Sequence, residues 1–230
     1  VAQSKNPTMK NLKFTSLGCL LILMLSSFTP PITVIDLHKL VKNKSIDVFN
    51  RELTLINESG YQGIRLSKDE GEGIAWLKGI EFSNGILEFD MRGEDIKQHS
   101  FVGIAFHGVD NATFDAIYFR PFHFNAQDEV SKSRTIQYIS LPNFPWRTLR
   151  EKSPGKYEHS VAPASTPDPN SWFKVRIVIQ DATVSTYVNG NTEPSLVVEK
   201  VTSVNKGSIG FYVADTSGGD FANLTITKTN

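Results

Sequence analysis

Cysteine is nearly absent: Cys19 is the only one in 230 residues. A chain so poor in thiols is not held by a disulfide framework or a thiolate zinc site. Its stability must come from a core, and a domain of about 200 residues can bury enough surface for that. An excess of charge is also lacking. Lys and Arg number 24, Asp and Glu number 24, and the formal net charge is zero. That balance argues against a general nucleic-acid binder, whose affinity comes from surplus Lys and Arg. A local basic cluster remains free to hold an anion. His38, His99, His107, His123 and His159 show no metal-ligand spacing. The chain has no Gly-x-Ser-x-Gly elbow, no P-loop and no zinc-protease motif. Helical periodicity is scarce after Pro31, and without βαβ units a Rossmann-type fold is excluded.

Long apolar runs are lacking too. One short run spans Leu17 to Leu25, after Met9, Lys10 and Lys13 and before Ser26 and Ser27. A basic start, a short apolar stretch and small residues predict a cleavable export signal over residues 9–31. Residues 1–8 then read as upstream translated sequence or an expression remnant, and residues 32–230 as a single β-sandwich domain. The run is short for a membrane span, which needs about 20 apolar residues. An uncleaved anchor is the alternative. Leu17-Gly18-Cys19 suggests a lipoprotein box, but its apolar stretch follows the cysteine instead of preceding it. The expected location is secreted or periplasmic, with no membrane association after cleavage and no nucleic-acid partner.

What remains is rich in short β-forming runs with turn signals between them, which predicts an all-β, two-sheet antiparallel sandwich. The expected strands include Asp47–Asn57, Gly73–Leu77, Gly79–Phe82, Gly85–Arg92, Ser100–His107, Ala116–Phe122, Thr135–Ser140 and Gly207–Val213. Ser83-Asn84-Gly85 reads as a turn between strands. Val175, Ile177 and Ile179 alternate with polar residues. Together with Asp181-Ala182 and Asn189-Gly190 they predict a meander over Trp172–Gln180, Thr183–Val188 and Leu196–Val201. Between Pro142 and Pro169 six prolines exclude a central strand. That segment also carries Trp146, Arg147, Arg150, Glu151, Tyr157, Glu158 and His159, and reads as a functional loop or a covering flap.

Two stretches carry a resemblance. One is Gly79-Ile80-Glu81-Phe82-Ser83-Asn84-Gly85-Ile86-Leu87-Glu88-Phe89-Asp90-Met91-Arg92. The other runs from Trp172 to Val178, through Asn189-Gly190 and Gly207-Ser208-Ile209-Gly210-Phe211, to Phe221-Ala222-Asn223-Leu224. The series resembles the concanavalin A-like lectin/glucanase superfamily, its laminin G-like jelly rolls in particular, over about residues 45–228. Within it the chain looks most like the 3-keto-disaccharide hydrolase-type domain. The resemblance implies a jelly roll with a carbohydrate groove on its concave face. Such sandwiches host lectins, hydrolases and adhesion modules alike. Three readings therefore stand: a glycoside hydrolase-like enzyme, a non-catalytic carbohydrate-binding module, and a laminin G-like adhesion domain.

Glu88, Asp90 and Arg92 alternate on one strand face. Family 16 glucanases are similar there, but carry a third carboxylate where this chain has Arg92, so that catalytic set is incomplete and a structural role is favoured. A denser group runs from Tyr118 to Glu158. Tyr118 and Arg120 are expected on one strand face, and Arg134 and Tyr138 on one face of the next, with Gln137 opposite. Trp146 and Arg150 come from the loop. Flat aromatics suit the C–H faces of a sugar, and Arg and Gln suit its hydroxyls. The expected ligand-binding residues are Tyr118, Arg120, Arg134, Gln137, Tyr138, Trp146 and Arg150. The bland alternative pairs the arginines with Glu151, Glu158 and Asp128. Glu151 and Glu158 are the candidate catalytic carboxylates. The surplus of arginine would suit an acidic sugar. No cofactor or metal is expected, although the turn from Asp215 to Asp220 has the oxygen ligands calcium takes. The sequons at Asn43, Asn57, Asn111 and Asn223 bear on a eukaryotic source only.

Overall fold

The computed structural model describes residues 1–3 and 30–229. All of the expected export signal but its last two residues, and Cys19 with it, lies outside the described residues. Among them, no helix is long and apolar enough to cross a membrane.

In chain order the elements are β1 (Ile32–Val34), α1 (Leu37–Lys42), β2 (Ile46–Phe49), β3 (Leu53–Glu58), β4 (Tyr61–Leu66), β5 (Gly73–Phe82), β6 (Asn84–Arg92), β7 (Val102–Gly108) and β8 (Phe114–Phe119). Then follow α2 (Glu129–Lys132), β9 (Ile136–Leu141), α3 (Trp146–Lys152), β10 (Glu158–His159), β11 (Phe173–Gln180), β12 (Thr183–Val188), β13 (Leu196–Glu199), β14 (Gly207–Val213) and β15 (Gly219–Thr229). One sheet has the order β13-β12-β11-β6-β15-β4-β3, with β1 added on β15. The other has the order β10-β9-β8-β7-β14-β5-β2. Neighbouring strands run antiparallel. This is the two-sheet antiparallel sandwich that the alternation predicts, in the jelly-roll form that the resemblance implies.

The two sheets share one core because each strand sends alternate residues inward. Leu87, Phe89 and Met91 of β6 and Val175, Ile177 and Ile179 of β11 are fully buried from one sheet. Val102, Ile104 and Phe106 of β7 and Phe211 of β14 are as deeply buried in the other. Phe211 stacks on Phe221 at 4.6 Å and meets Phe89 edge-on at 6.0 Å, which joins the sheets. Each such side chain contributes about 1.5–3 kcal/mol of burial.

The meander forms as expected, with β11, β12 and β13 adjacent in sequence order. Several boundaries differ. The expected strand Asp47–Asn57 is two strands, β2 and β3, in different sheets, because Asn50 takes a left-handed φ of 51° and turns the chain. The runs Gly73–Leu77 and Gly79–Phe82 are one strand, β5. Ser83 alone separates β5 from β6, and these lie in different sheets. The turn at Asn84-Gly85 is therefore a corner between layers, not a hairpin. The proline-rich segment holds α3 and the short edge strand β10, where the sequence pattern predicts only loop.

The outer face of the first sheet absorbs the alternating Glu88, Asp90 and Arg92. Asp90 accepts from Asn223 at 2.7 Å and faces the Lys174 ammonium at 3.1 Å. Arg92 binds Asp220 at 2.6 Å and Glu58 at 2.8 Å, and lies 4.8 Å above the Trp172 ring. Arg65 grips Asp220 from the other side, at 2.6 and 2.9 Å. Both carboxylate oxygens of Asp220 are thus taken by arginines. Among the described residues no three Asp, Glu, His or Cys side chains converge as a metal site.

Candidate functional site

The outward face of the second sheet carries a cleft of about 580 Å³. That is within the range of ordinary small-ligand sites. Its floor follows one row across the strands. Tyr212 of β14 pairs with Gly103 of β7, Gly103 with Tyr118 of β8, Tyr118 with Gln137 of β9, and Gln137 with Glu158 of β10. Residues in register across a sheet project on the same face. Gly103 has no side chain, and the two tyrosine rings on either side approach to 6.0 Å. Glu72, just ahead of β5, closes one end of the row: the Tyr212 hydroxyl donates to its carboxylate. Phe101, Phe122 and Trp146 add aromatic walls.

Arg120 lies at the basic end and is only 5% exposed. Its guanidinium donates to the Arg134 carbonyl at 2.5 Å, to the Tyr118 hydroxyl at 2.8 Å and to Gln137 Oε1 at 3.4 Å. Burial lowers its proton affinity first of all, with neighbouring Arg150 adding to that. Burial pushes the Tyr118 hydroxyl up to about 12, so it stays protonated and remains a donor at neutral pH. Arg150, on α3, holds Glu158 with three hydrogen bonds of 2.5–3.1 Å. Arg134 reaches the same carboxylate at 3.8 Å. The guanidinium of Arg150 also lies 4.7 Å above the Trp146 ring, which is 38% exposed at the rim.

Among the residues singled out by sequence, the structure lines this cleft with Tyr118, Arg120, Arg134, Trp146 and Arg150. Gln137 faces the same side, contrary to the expected alternation, but is only 1% exposed. Its amide donates to the carbonyls of Tyr138 and Tyr157, so it braces the floor. Tyr138 goes the other way. Ile136, Tyr138 and Ser140 turn inward, and the Tyr138 hydroxyl donates to buried Asp115 at 3.1 Å. His107 lies on the far side of that carboxylate, at 3.5 Å. Tyr138 therefore belongs to the core and does not share a face with the cleft. Glu158 is 6% exposed and committed to two arginines, and Glu151 is exposed on α3. The two do not form a facing carboxylate pair in the cleft. Asp128 caps α2 by accepting from the Ser131 amide at 2.8 Å, and pairs with none of the arginines.

Glu72, His99, Phe101, Tyr212 and Asp215 also line the cleft, and sequence reading missed them as a group. Tyr212 had one available signal. It alternates with core residues Phe211 and Val213, so an amphipathic aromatic points away from the core. Glu72 follows a Gly-rich turn and has no local pattern to mark it. Burial raises the proton affinity of its carboxyl above the usual range, against the lowering effects of the Tyr212 hydrogen bond and of Arg51. The folded state therefore binds this proton more tightly than the unfolded chain. Stability is expected to fall as pH rises from about 4.5 through the higher folded value. In Glu72→Gln that part of the slope should vanish, as read by thermal melts across the acid range.

No family model matches the chain, and no curated protein matches its sequence. Solved structures do match in fold. The carbohydrate-binding module CBM66 from Bacillus subtilis superposes with a TM-score of 0.58 at 12% identity, covering 80% of this chain and 96% of that one. A structure described as a native glycosidic hydrolase gives 0.54 at 11% identity, covering 88% and 97%. The exoplasmic/lumenal domain of VIP36 in a calcium-bound form gives 0.52 at 13% identity, covering 81% and 84%. At such identities the likeness concerns the backbone alone. With the strand order and the shared core, it makes this chain a jelly-roll β-sandwich.

Proposed function

We propose that the cleft binds carbohydrate and that the protein acts as a sugar-binding β-sandwich. One observation carries this reading: a half-open cleft on a sheet face combines an exposed rim tryptophan with a floor of tyrosine and arginine donors. Trp146 supplies a flat apolar surface for a sugar ring, and Tyr118, Arg120 and Arg150 supply directional donors for its oxygens. The fold likeness to a carbohydrate-binding module and a glycosidic hydrolase supports the same ligand class. We also read the chain as an exported protein, on the Met9–Ser27 pattern.

The test is an oligosaccharide binding screen with product analysis of each hit. Trp146→Ala is expected to weaken binding at least about tenfold, since aromatic anchors dominate such sites. It should leave the melting temperature nearly unchanged, because the side chain is partly exposed and caps no core. A folded protein that binds no sugar would leave the adhesion-domain reading.

Glu72 and Asp215 favour a second reading, hydrolysis. One is a half-buried carboxyl with raised proton affinity, and the other is an exposed carboxylate in the same cleft. An acid and a charged carboxylate are the parts a glycosidase needs. Turnover in the screen, lost in Glu72→Gln with binding intact, would establish it.

A further inference from the structure

We propose that the sugar bound in this cleft is acidic, and that its carboxylate is seated by Arg120 and Arg134 beside the Tyr118 hydroxyl. The proposal rests on the carbohydrate reading and names the ligand class. Arg120 is buried, yet its hydrogen-bond partners are a carbonyl, a phenol and an amide. Among the described residues it forms no ion pair. A buried guanidinium without a counter-charge is costly, and neutral acceptors offset only part of that cost. Its neighbours do not supply the missing charge. Glu158 is the one carboxylate at this end, and Arg150 and Arg134 already share it. Three guanidinium groups thus face one carboxylate. Glu72 and Asp215 line the cleft as well, but Glu72 binds Tyr212 and Asp215 accepts from the Gly71 amide at 3.1 Å.

The geometry suits an oxyanion on a sugar better than a free hydroxyl. Tyr118 accepts from Arg120, and its own hydrogen has no acceptor among the described residues. The hydroxyl therefore has a proton to donate to a ligand oxygen, and burial keeps that proton in place. Arg134 has a side chain 38% exposed at the cleft wall, so it can reach a ligand without being dug out of the core. A planar carboxylate can accept from two guanidinium groups and a phenol together, and charge-assisted bonds of this kind are roughly twice as strong as neutral ones. Trp146, at the rim, would stack against the ring that carries the acid.

The experiment is calorimetric titration of the full chain with uronate oligosaccharides of galacturonate, glucuronate, mannuronate and guluronate. The same oligomers as methyl esters and a panel of neutral oligosaccharides run beside them. At least one uronate is expected to bind about tenfold or more tightly than its own ester, the ratio set by one charge-assisted contact. Arg134→Ala should reduce that ratio to near one, with the uronate losing more affinity than its ester. Arg120→Gln should lower the ratio as well wherever its melt shows a folded protein, with ester binding weakened too because Arg120 also donates to sugar oxygens, and Arg134→Ala carries the test if it does not fold. Equal affinity for acid and ester, or binding of neutral sugars alone, would overturn the acidic-ligand proposal and leave sugar binding standing. An acid preference that survives Arg134→Ala would overturn the seat assigned here. No binding of acid, ester or neutral sugar would overturn both the proposal and the reading beneath it.

Discussion

Glu158→Ala is expected to destabilise the protein by about 3 kcal/mol, more than any other single charge removal near the cleft. Glu158 is 6% exposed and takes four contacts from Arg150 and Arg134. Removing it leaves those two guanidinium groups beside buried Arg120 with no counter-charge at that end. Breaking a buried pair by deleting one partner typically costs about 3–5 kcal/mol. Here Arg150 and Arg134 keep some access to water, with side chains 22% and 38% exposed, which places the expected loss at the low end. Urea denaturation reads it directly, as a lower midpoint at unchanged slope. Glu151→Ala is the matched control: it is exposed on the same helix and should change stability by less than about 0.5 kcal/mol. Equal effects from both would mean that the arginine cluster does not depend on Glu158.

Gly103→Ala should be at least as damaging, at about 3 kcal/mol or more. A β-carbon at this position would stand 2.1 Å from the Ile117 carbonyl oxygen and 2.6 Å from Tyr118 Cα. Both obstacles are backbone, so β7 and β8 must part to admit a single methyl group. The change also strikes the site, because Gly103 separates Tyr212 from Tyr118 in the floor row. Sugar affinity should therefore fall together with the melting temperature. Gly155→Ala separates packing from conformation: its φ is +73° but nothing lies within 4 Å of the added carbon. It should cost only about 1 kcal/mol, the strain of a left-handed alanine. If Gly103→Ala costs no more than that, the strands at the cleft floor are looser than their pairing implies.

Much of the sandwich is legible in residues taken a few at a time. Val175, Ile177 and Ile179 alternate with polar neighbours, and the turns at Asp181-Ala182 and Asn189-Gly190 fix where that strand folds back. Local alternation and turn chemistry decide those elements, and both are written in short windows. The alternation failed where both faces of a strand are buried. Throughout Ile136–Ser140 every residue is buried, so polarity does not tell the core side from the cleft side. That is why Gln137 faces the cleft and Tyr138 the core, the reverse of the expected assignment. Asn84-Gly85 was readable as a turn, but not as a passage between layers, because a corner and a hairpin use the same residues.

The site divides in the same way. Tyr118, Arg120, Trp146 and Arg150 stand out because aromatics and arginines crowd one stretch of chain. Tyr212 and Glu72 are distant in sequence and reach the cleft through strand order alone: β14 lies beside β7, and β5 beside β14. The amino-acid sequence by itself determined the β-rich class, the absence of disulfide or thiolate support in the folded domain, and the aromatic and basic character of one segment. The tertiary structure alone decided which of those side chains share a surface. It placed Glu158 between arginines, left Arg120 without a carboxylate and brought Tyr212 to Tyr118 across Gly103. The physical reason is that strand pairing joins residues remote in the chain, and a shift of one position in register turns every side chain to the opposite face.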